Sequence, residues 1–224
     1  PAGSFVSLVG ESGCGKSTIA GILAAKNRGY KGEITIGGVP LNEVNETNLM
    51  QRIVLVRHNS YLFKGTVEEN LKMAKPDATK EEMEAVLQKV NLLGFLQTQD
   101  GLQTQLLEKA SNLSGGQCQR LVIARALLKD AEVYIFDEAT SNIDVESEEL
   151  IMEVIHEIAK TKTVLLISHR LANVVKSDQI YFLKNGEIAE SGKHEELMNL
   201  NGVYRHLYES QMVLENYGKE GALK

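Results

Sequence analysis

The sequence predicts an α/β fold, in which a mixed, largely parallel sheet is wrapped by helices and carries a long helical insertion. Three observations predict it. An apolar run, Phe5 to Val9, ends in a glycine-rich turn and leads directly into an apolar helical stretch, Ile19 to Ala25. A second apolar run, Val133 to Phe136, ends in two acids and opens a series of alternating strand and helix patterns. Between them, residues 58–130 read mainly as helix.

The first turn is Gly10-Glu11-Ser12-Gly13-Cys14-Gly15-Lys16-Ser17-Thr18, which fits G-x-x-x-x-G-K-[ST]. Gly13 and Gly15 lack a Cβ, so the backbone can turn tightly and approach a ligand. Successive N–H groups then point inward, and the next helix presents its positive end to the same spot. Lys16 adds a full charge for the β- and γ-phosphates of a nucleoside triphosphate, and Ser17 offers a hydroxyl to Mg²⁺. Gly10, Ser12, Gly13, Cys14, Gly15, Lys16, Ser17 and Thr18 are therefore the candidate phosphate binders.

Phosphoryl chemistry also needs carboxylates, and the Val133–Phe136 run supplies them at its end. Asp137 is placed to hold Mg²⁺ together with Ser17, and Glu138, one residue on, to polarise an attacking water.

The remaining elements follow in order. Lys31 to Gly38 alternates and turns like an antiparallel arm. A short helix is expected over Asn45 to Gln51, then a strand over Ile53 to Val56. In the insertion, one helix starts near Thr66. Another spans Thr79 to Val90, opened by the capping box Thr79-Lys80-Glu81-Glu82. Met83, Val86, Leu87 and Val90 share a face that suits a core. A helix over Gln119 to Leu128 leads back to the acidic strand. Beyond it, Glu146 to Ala159, Thr163 to Ser168, Leu171 to Val175 and Gln179 to Leu183 continue the alternation of helix and strand. Asn185-Gly186 reads as a hairpin turn. Helices near Lys193 to Met198 and Val203 to Leu214 close the chain, and the polar tail from Glu215 is expected to fray.

Taken together, the motifs resemble those of the ATP-binding domain of ABC transporters. Leu113-Ser114-Gly115-Gly116-Gln117 resembles the family signature. Asp137-Glu138 resembles the Walker B aspartate and catalytic glutamate, Ser141-Asn142-Ile143-Asp144 the D-loop, and Ser168-His169-Arg170 the H-loop. The resemblance implies a P-loop nucleoside-triphosphatase (RecA-like) core with a mixed sheet, an antiparallel β arm and an inserted α-helical subdomain. The core is assigned to residues 1–57 and 131–224, and the subdomain to 58–130. ATP and Mg²⁺ are the implied cofactors. Glu138, His169 and Lys16 are the implied catalytic groups. Ser114, Gly115, Gly116 and Gln117 would act on ATP held by a second domain, with Asp144 at the seam between the two.

Leu62 to Asn70 resembles the exporter branch, as does Asp100 to Lys109, where Leu107 and Ala110 stand in place of the family's glycines and stiffen the loop. The implied function is the hydrolytic motor of an exporter, fused to an upstream membrane domain and lying at the cytoplasmic face of the cell membrane. A soluble ABC ATPase of translation or DNA repair is one alternative. A weakly hydrolysing regulatory partner in a heterodimer is another.

Two features depart from the family pattern. The Q-loop glutamine expected after Ile53–Val56 and ahead of Leu62-Phe63-Lys64-Gly65-Thr66 is here His58. His58 is thus a candidate metal ligand beside Ser17 and Asp137, although imidazole suits Mg²⁺ less well than an amide oxygen. As a histidine it would also make the site pH-sensitive. Second, the family carries strands and an adenine-stacking aromatic ahead of the phosphate loop. Here Pro1 stands only nine residues before Gly10, and nothing matches that aromatic. A larger parent polypeptide and a phosphate-dominated, weakened nucleotide site are expected.

Composition agrees with a single globular unit: 224 residues, 43% hydrophobic and 24% charged. The formal charge of −6 argues against a general nucleic-acid binder. No run approaches the ~18 apolar residues of a membrane span, and no signal peptide is visible. The two cysteines, Cys14 and Cys118, form neither a disulfide framework nor a metal motif, which fits a reducing compartment. Cys14, inside the phosphate loop beside Lys16, is expected to be open to alkylation.

Overall fold

The computed structural model describes residues 2–27 and 29–221. In chain order the first part is β1 (Phe5–Gly10), α1 (Lys16–Leu23), an arm of β2 (Thr35–Ile36) and β3 (Val39–Pro40), α2 (Glu46–Arg52) and β4 (Ile53–Arg57). The insertion follows with β5 (Gly65–Thr66), α3 (Val67–Lys72), α4 (Lys80–Lys89), α5 (Leu93–Gln97), β6 (Gln105–Leu106) and α6 (Gly115–Leu127). The chain then continues through β7 (Val133–Asp137), α7 (Val145–Ala159), β8 (Thr163–Ile167), β9 (Gln179–Lys184), β10 (Glu187–Gly192), α8 (His194–Asn199) and α9 (Val203–Gly221).

Six strands form one sheet in the order β10-β9-β1-β8-β7-β4. All neighbours run parallel except β10, which returns antiparallel on β9 after the Asn185–Gly186 turn. Parallel strands covered on both faces should read as continuous apolar runs, and these do. Their side chains alternate between two cores. Leu8, Ile135, Ile167 and Leu183 face α1 and α2. Val9, Phe136, Leu166 and Phe182 face the other side, with α6, α7 and the insertion. The expected stripe Met83, Val86, Leu87 and Val90 is buried in that second core. The capping box at Thr79 and Glu82 is present, and a matching one joins Thr66 to Glu69.

Several boundaries differ from expectation. The arm is a hairpin of two-residue strands. The insertion is not purely helical, because β5 pairs antiparallel with β6. Strands this short show no alternation to read. Inside the 62–70 stretch, buried Asn70 ties the loop down: its amide donates to the Phe63 and Thr66 carbonyls at 2.9 and 3.0 Å and accepts from the Phe63 N–H at 2.8 Å. Helix α6 starts at Gly115 rather than Gln119, and Leu171–Val174 is a 3-10 turn. Helix α9 runs on to Gly221, past Leu214; the expected fraying of residues 222–224 lies outside the described residues.

Candidate active site

In a parallel sheet, ligands collect at the carboxyl ends of the strands. The register gathers the candidate residues along that edge. Arg57 pairs with Asp137, Asp137 with Ile167, and Ile167 with Leu8. One or two residues further along each strand stand His58, Glu138, His169 and Gly10.

The phosphate loop leaves β1 at Gly10, whose φ is +142°. A Cβ there would lie 2.1 Å from the Leu183 carbonyl oxygen on β9, so only glycine fits. Helix α1 begins at Lys16 with no side-chain cap, which leaves its first N–H groups aimed into the loop. Lys16 is buried, and its ammonium donates to the Gly10 and Glu11 carbonyls at 2.9 and 2.8 Å. Cys14 Sγ lies 3.7 Å from the same nitrogen. Cys14 is itself buried, so its thiol is packed inward instead of standing open to reagents.

Ser17 Oγ donates to Asp137 Oδ1 at 2.9 Å, so these two distant sequence segments meet. Asp137 is buried, and its other oxygen lies 3.4 Å from Arg57 Nε. That nitrogen is itself buried and makes no hydrogen bond. Arg57 went unnoticed in the sequence; its position beside β7 is the only signal for it. His58 is exposed in the turn after β4.

Glu138 adopts a left-handed backbone with φ +54°, uncommon for a residue with a long side chain. Its N–H donates to the Ile167 carbonyl at 3.0 Å, and its carbonyl accepts from the Ser141 N–H at 3.0 Å. These bonds hold the bend. The bend sends the carboxylate to His169, with Glu138 Oε1 2.5 Å from His169 Nε2. A cavity of about 200 Å³ is lined by Ser12, Gly13, Gly15 to Thr18, Glu138 and His169. A larger opening of about 640 Å³ lies between the arm and α2 and holds none of these groups.

The Ser114–Gln117 corner is absent from that cavity's lining. Ser114 caps α6: its hydroxyl accepts from the Gln117 N–H at 3.2 Å, and the Gln117 side chain accepts from the Ser114 N–H at 2.9 Å. Ser114 and Gly115 are exposed, whereas Gly116 is buried against α7. Asp144 caps α7 through the Ser147 N–H at 2.8 Å, and that bond holds its carboxyl below the usual range. Cys118 is half-buried, and burial pushes its thiol up. Leu107 is exposed and Ala110 buried, with Lys109 and Ala110 both at positive φ, 56° and 52°.

Residues 1–141 match the family model described as ABC transporter. The chain belongs to the ABC transporter family. It is 51% identical over 207 residues to an uncharacterized ABC transporter ATP-binding protein of Haemophilus influenzae, covering 92% of this chain and 37% of that protein. Over 213 residues it is 41% identical to the ATP-dependent lipid A-core flippase of Mannheimia succiniciproducens, covering 94% and 36%. Among solved structures, a bacterial Atm1-family ABC exporter with ATP bound superposes with a TM-score of 0.88 at 34% identity, covering 94% of this chain and 37% of that one. The chain thus spans little more than a third of each of these relatives. The match is to the ATP-binding part of exporter-type members, and the fold is that of a P-loop nucleoside triphosphatase.

Proposed function

We propose that this chain is the ATP-hydrolysing motor of an ABC exporter, working as one of two facing domains joined to a membrane part. One observation carries the reading: Glu138 and His169 meet at 2.5 Å over a cavity floored by Lys16 and Ser17, while the exposed Ser114 corner lies outside it. A single chain therefore holds the phosphate loop and the water-activating pair, and leaves one side of the nucleotide for a second copy's Ser114–Gln117 corner to cover. Asp144 caps α7 and adds its carboxylate to that facing surface.

Each residue has a task. The loop N–H groups and the Lys16 ammonium bind the phosphates. A phosphate oxygen replaces Cys14 Sγ, a weak acceptor, as the third partner of that ammonium. Ser17 and Asp137 offer a hydroxyl and a carboxylate, the hard oxygen donors that Mg²⁺ takes beside phosphate and water. When bound, Mg²⁺ neutralises charge on the β- and γ-phosphates. Glu138 accepts a hydrogen bond from the attacking water and takes its proton. His169 bonds Glu138 through Nε2 and stands within the same cavity to contact the γ-phosphate.

The exporter reading also draws on a surface feature. Met50, Phe63 and Met73 are exposed around an opening of about 430 Å³ between β4 and α6, and Tyr61 packs edge-on against Phe63. Such an apolar patch suits a protein partner, here the membrane part at the cytoplasmic face. No helix among the described residues is long and apolar enough to cross a membrane.

Glu138→Gln in the full-length protein tests the reading. Loss of general-base action is expected to lower hydrolysis by about 10²-fold or more, with ATP binding retained and ATP-dependent association of the two domains prolonged. Undiminished phosphate release refutes the assignment.

A further inference from the structure

The loop carrying His169 is not part of a helix or strand, yet its polar groups are engaged. Ser168 is buried; its hydroxyl accepts from the Arg170 N–H and donates to the Arg170 carbonyl, each at 3.0 Å. The Arg170 guanidinium pairs with Glu148 on α7, and Glu148 also accepts from Asn173 Nδ2 at 2.7 Å. Two backbone groups flank Arg170, the His169 carbonyl and the Leu171 N–H. Both go to one side chain from a distant helix. Gln211 Nε2 donates to the His169 carbonyl at 2.7 Å, and Gln211 Oε1 accepts from the Leu171 N–H at 2.8 Å.

Gln211 lies on α9, some forty residues beyond the loop. The helix is anchored well before it. Glu190 accepts from the Val203 and Tyr204 N–H groups at 2.6 and 3.0 Å. Gln211 sits eight residues after Val203, about two helical turns further on. It is thus held in place to use both ends of its amide on the loop.

We infer that Gln211 is a positioning residue for His169: its amide fixes the peptide groups on both sides of Arg170, and so the direction in which the imidazole meets Glu138. This rests on the reading of His169 as part of the hydrolytic pair. A carboxamide is the group that does this, because it offers one donor and one acceptor in a plane. Leucine offers neither, and glutamate offers only the acceptor and sets a charge against the His169 carbonyl.

The test uses the full-length protein with Gln211→Leu, Gln211→Glu, His169→Ala and, as a control on the same helix, Tyr204→Phe. Steady-state hydrolysis, fluorescent ATP-analogue binding and thermal unfolding are measured for each. Loss of two aimed hydrogen bonds is expected to lower kcat about tenfold in both Gln211 variants, with the analogue's Kd within about twofold of wild type. Tyr204→Phe keeps the backbone anchor on Glu190, loses the buried hydroxyl's 2.8 Å bond to His194 Nδ1 and is expected to lower Tm with kcat unchanged. Wild-type kcat in both Gln211 variants, with His169→Ala slow, overturns the clamp alone. A kcat loss in Tyr204→Phe as large as theirs overturns it too, because helix stability would then explain the effect. Wild-type kcat in His169→Ala overturns the histidine's assignment and, with it, the role of Gln211.

Discussion

The two glycines at the start of α6 face different demands, and substituting each separates folding from function. A Cβ on Gly116 would sit 2.0 Å from Ser147 Oγ and 2.4 Å from Ser147 Cβ. A hydroxyl can rotate away, but a Cβ moves only with its backbone, so α6 and α7 must part. Overpacking of this kind costs about 1–3 kcal/mol. Because Asp144 caps α7 through the Ser147 N–H, displacing Ser147 also weakens that cap, adding about 1 kcal/mol. Gly116→Ala is therefore expected to lose about 2–4 kcal/mol. At about 2–4 °C per kcal/mol for a chain of this size, Tm falls by roughly 5–15 °C. On Gly115 a Cβ would meet nothing closer than Ile143 Cγ2 at 3.7 Å, an ordinary contact. Gly115→Ala is expected to leave Tm unchanged or slightly raised, while slowing hydrolysis that depends on the second copy. Calorimetry on both variants, beside phosphate release by the full-length protein, reads the contrast. A Gly116→Ala protein that unfolds within a degree or so of wild type refutes the packing argument.

Arg57→Ser removes a cation 3.4 Å from Asp137. Since Arg57 is partly exposed, the effect is held to about 0.5–1 kcal/mol, a roughly two- to fivefold fall in the free Mg²⁺ that half-saturates nucleotide binding; an unchanged Mg²⁺ titration refutes it. His58→Gln replaces a residue exposed in the turn after β4 and is expected to leave the same titration and the pH–rate profile as they were. Burial lowers the pKa of His156, with Lys176 adding to the effect, and burial also lowers that of His194, both from 6.5. The folded state then disfavours their protonation and the unfolded state binds more protons, so stability should fall as pH drops below 6.5 towards the folded values. Urea unfolding at pH 7.5 and pH 5.5 checks the sign, and a lower midpoint at the higher pH contradicts it.

What the sequence disclosed was mostly local. The loop 10–18, the Asp137–Glu138 pair and the capping box at Thr79 are each written in a few consecutive residues, and each was legible. The helix expected over Gln119 to Leu128 begins earlier, at Gly115, where the Ser-x-x-Gln spacing of Ser114 and Gln117 also marks a helix start. The pairing of β5 with β6 joins Gly65-Thr66 to Gln105-Leu106, segments too short to carry a pattern and held by contacts far apart in the chain. Arg57 and Gln211 escaped for a related reason. Their chemistry depends on what the register and the docking of α9 bring beside them, and nothing in their own neighbourhood announces it. His58 is proposed as a metal ligand by spacing alone; it lies exposed in the turn after β4, next to Arg57, whose Nε is 3.4 Å from Asp137.

The left-handed bend at Glu138 carries a cost that falls on the fold rather than on the chemistry. A glutamate is not what that backbone prefers; glycine or asparagine would relax it. Replacing it with either is expected to make a sturdier protein that no longer turns over ATP. Selection for robustness and selection for work therefore pull this position in opposite directions, and the carboxylate persists there only while the engine is needed.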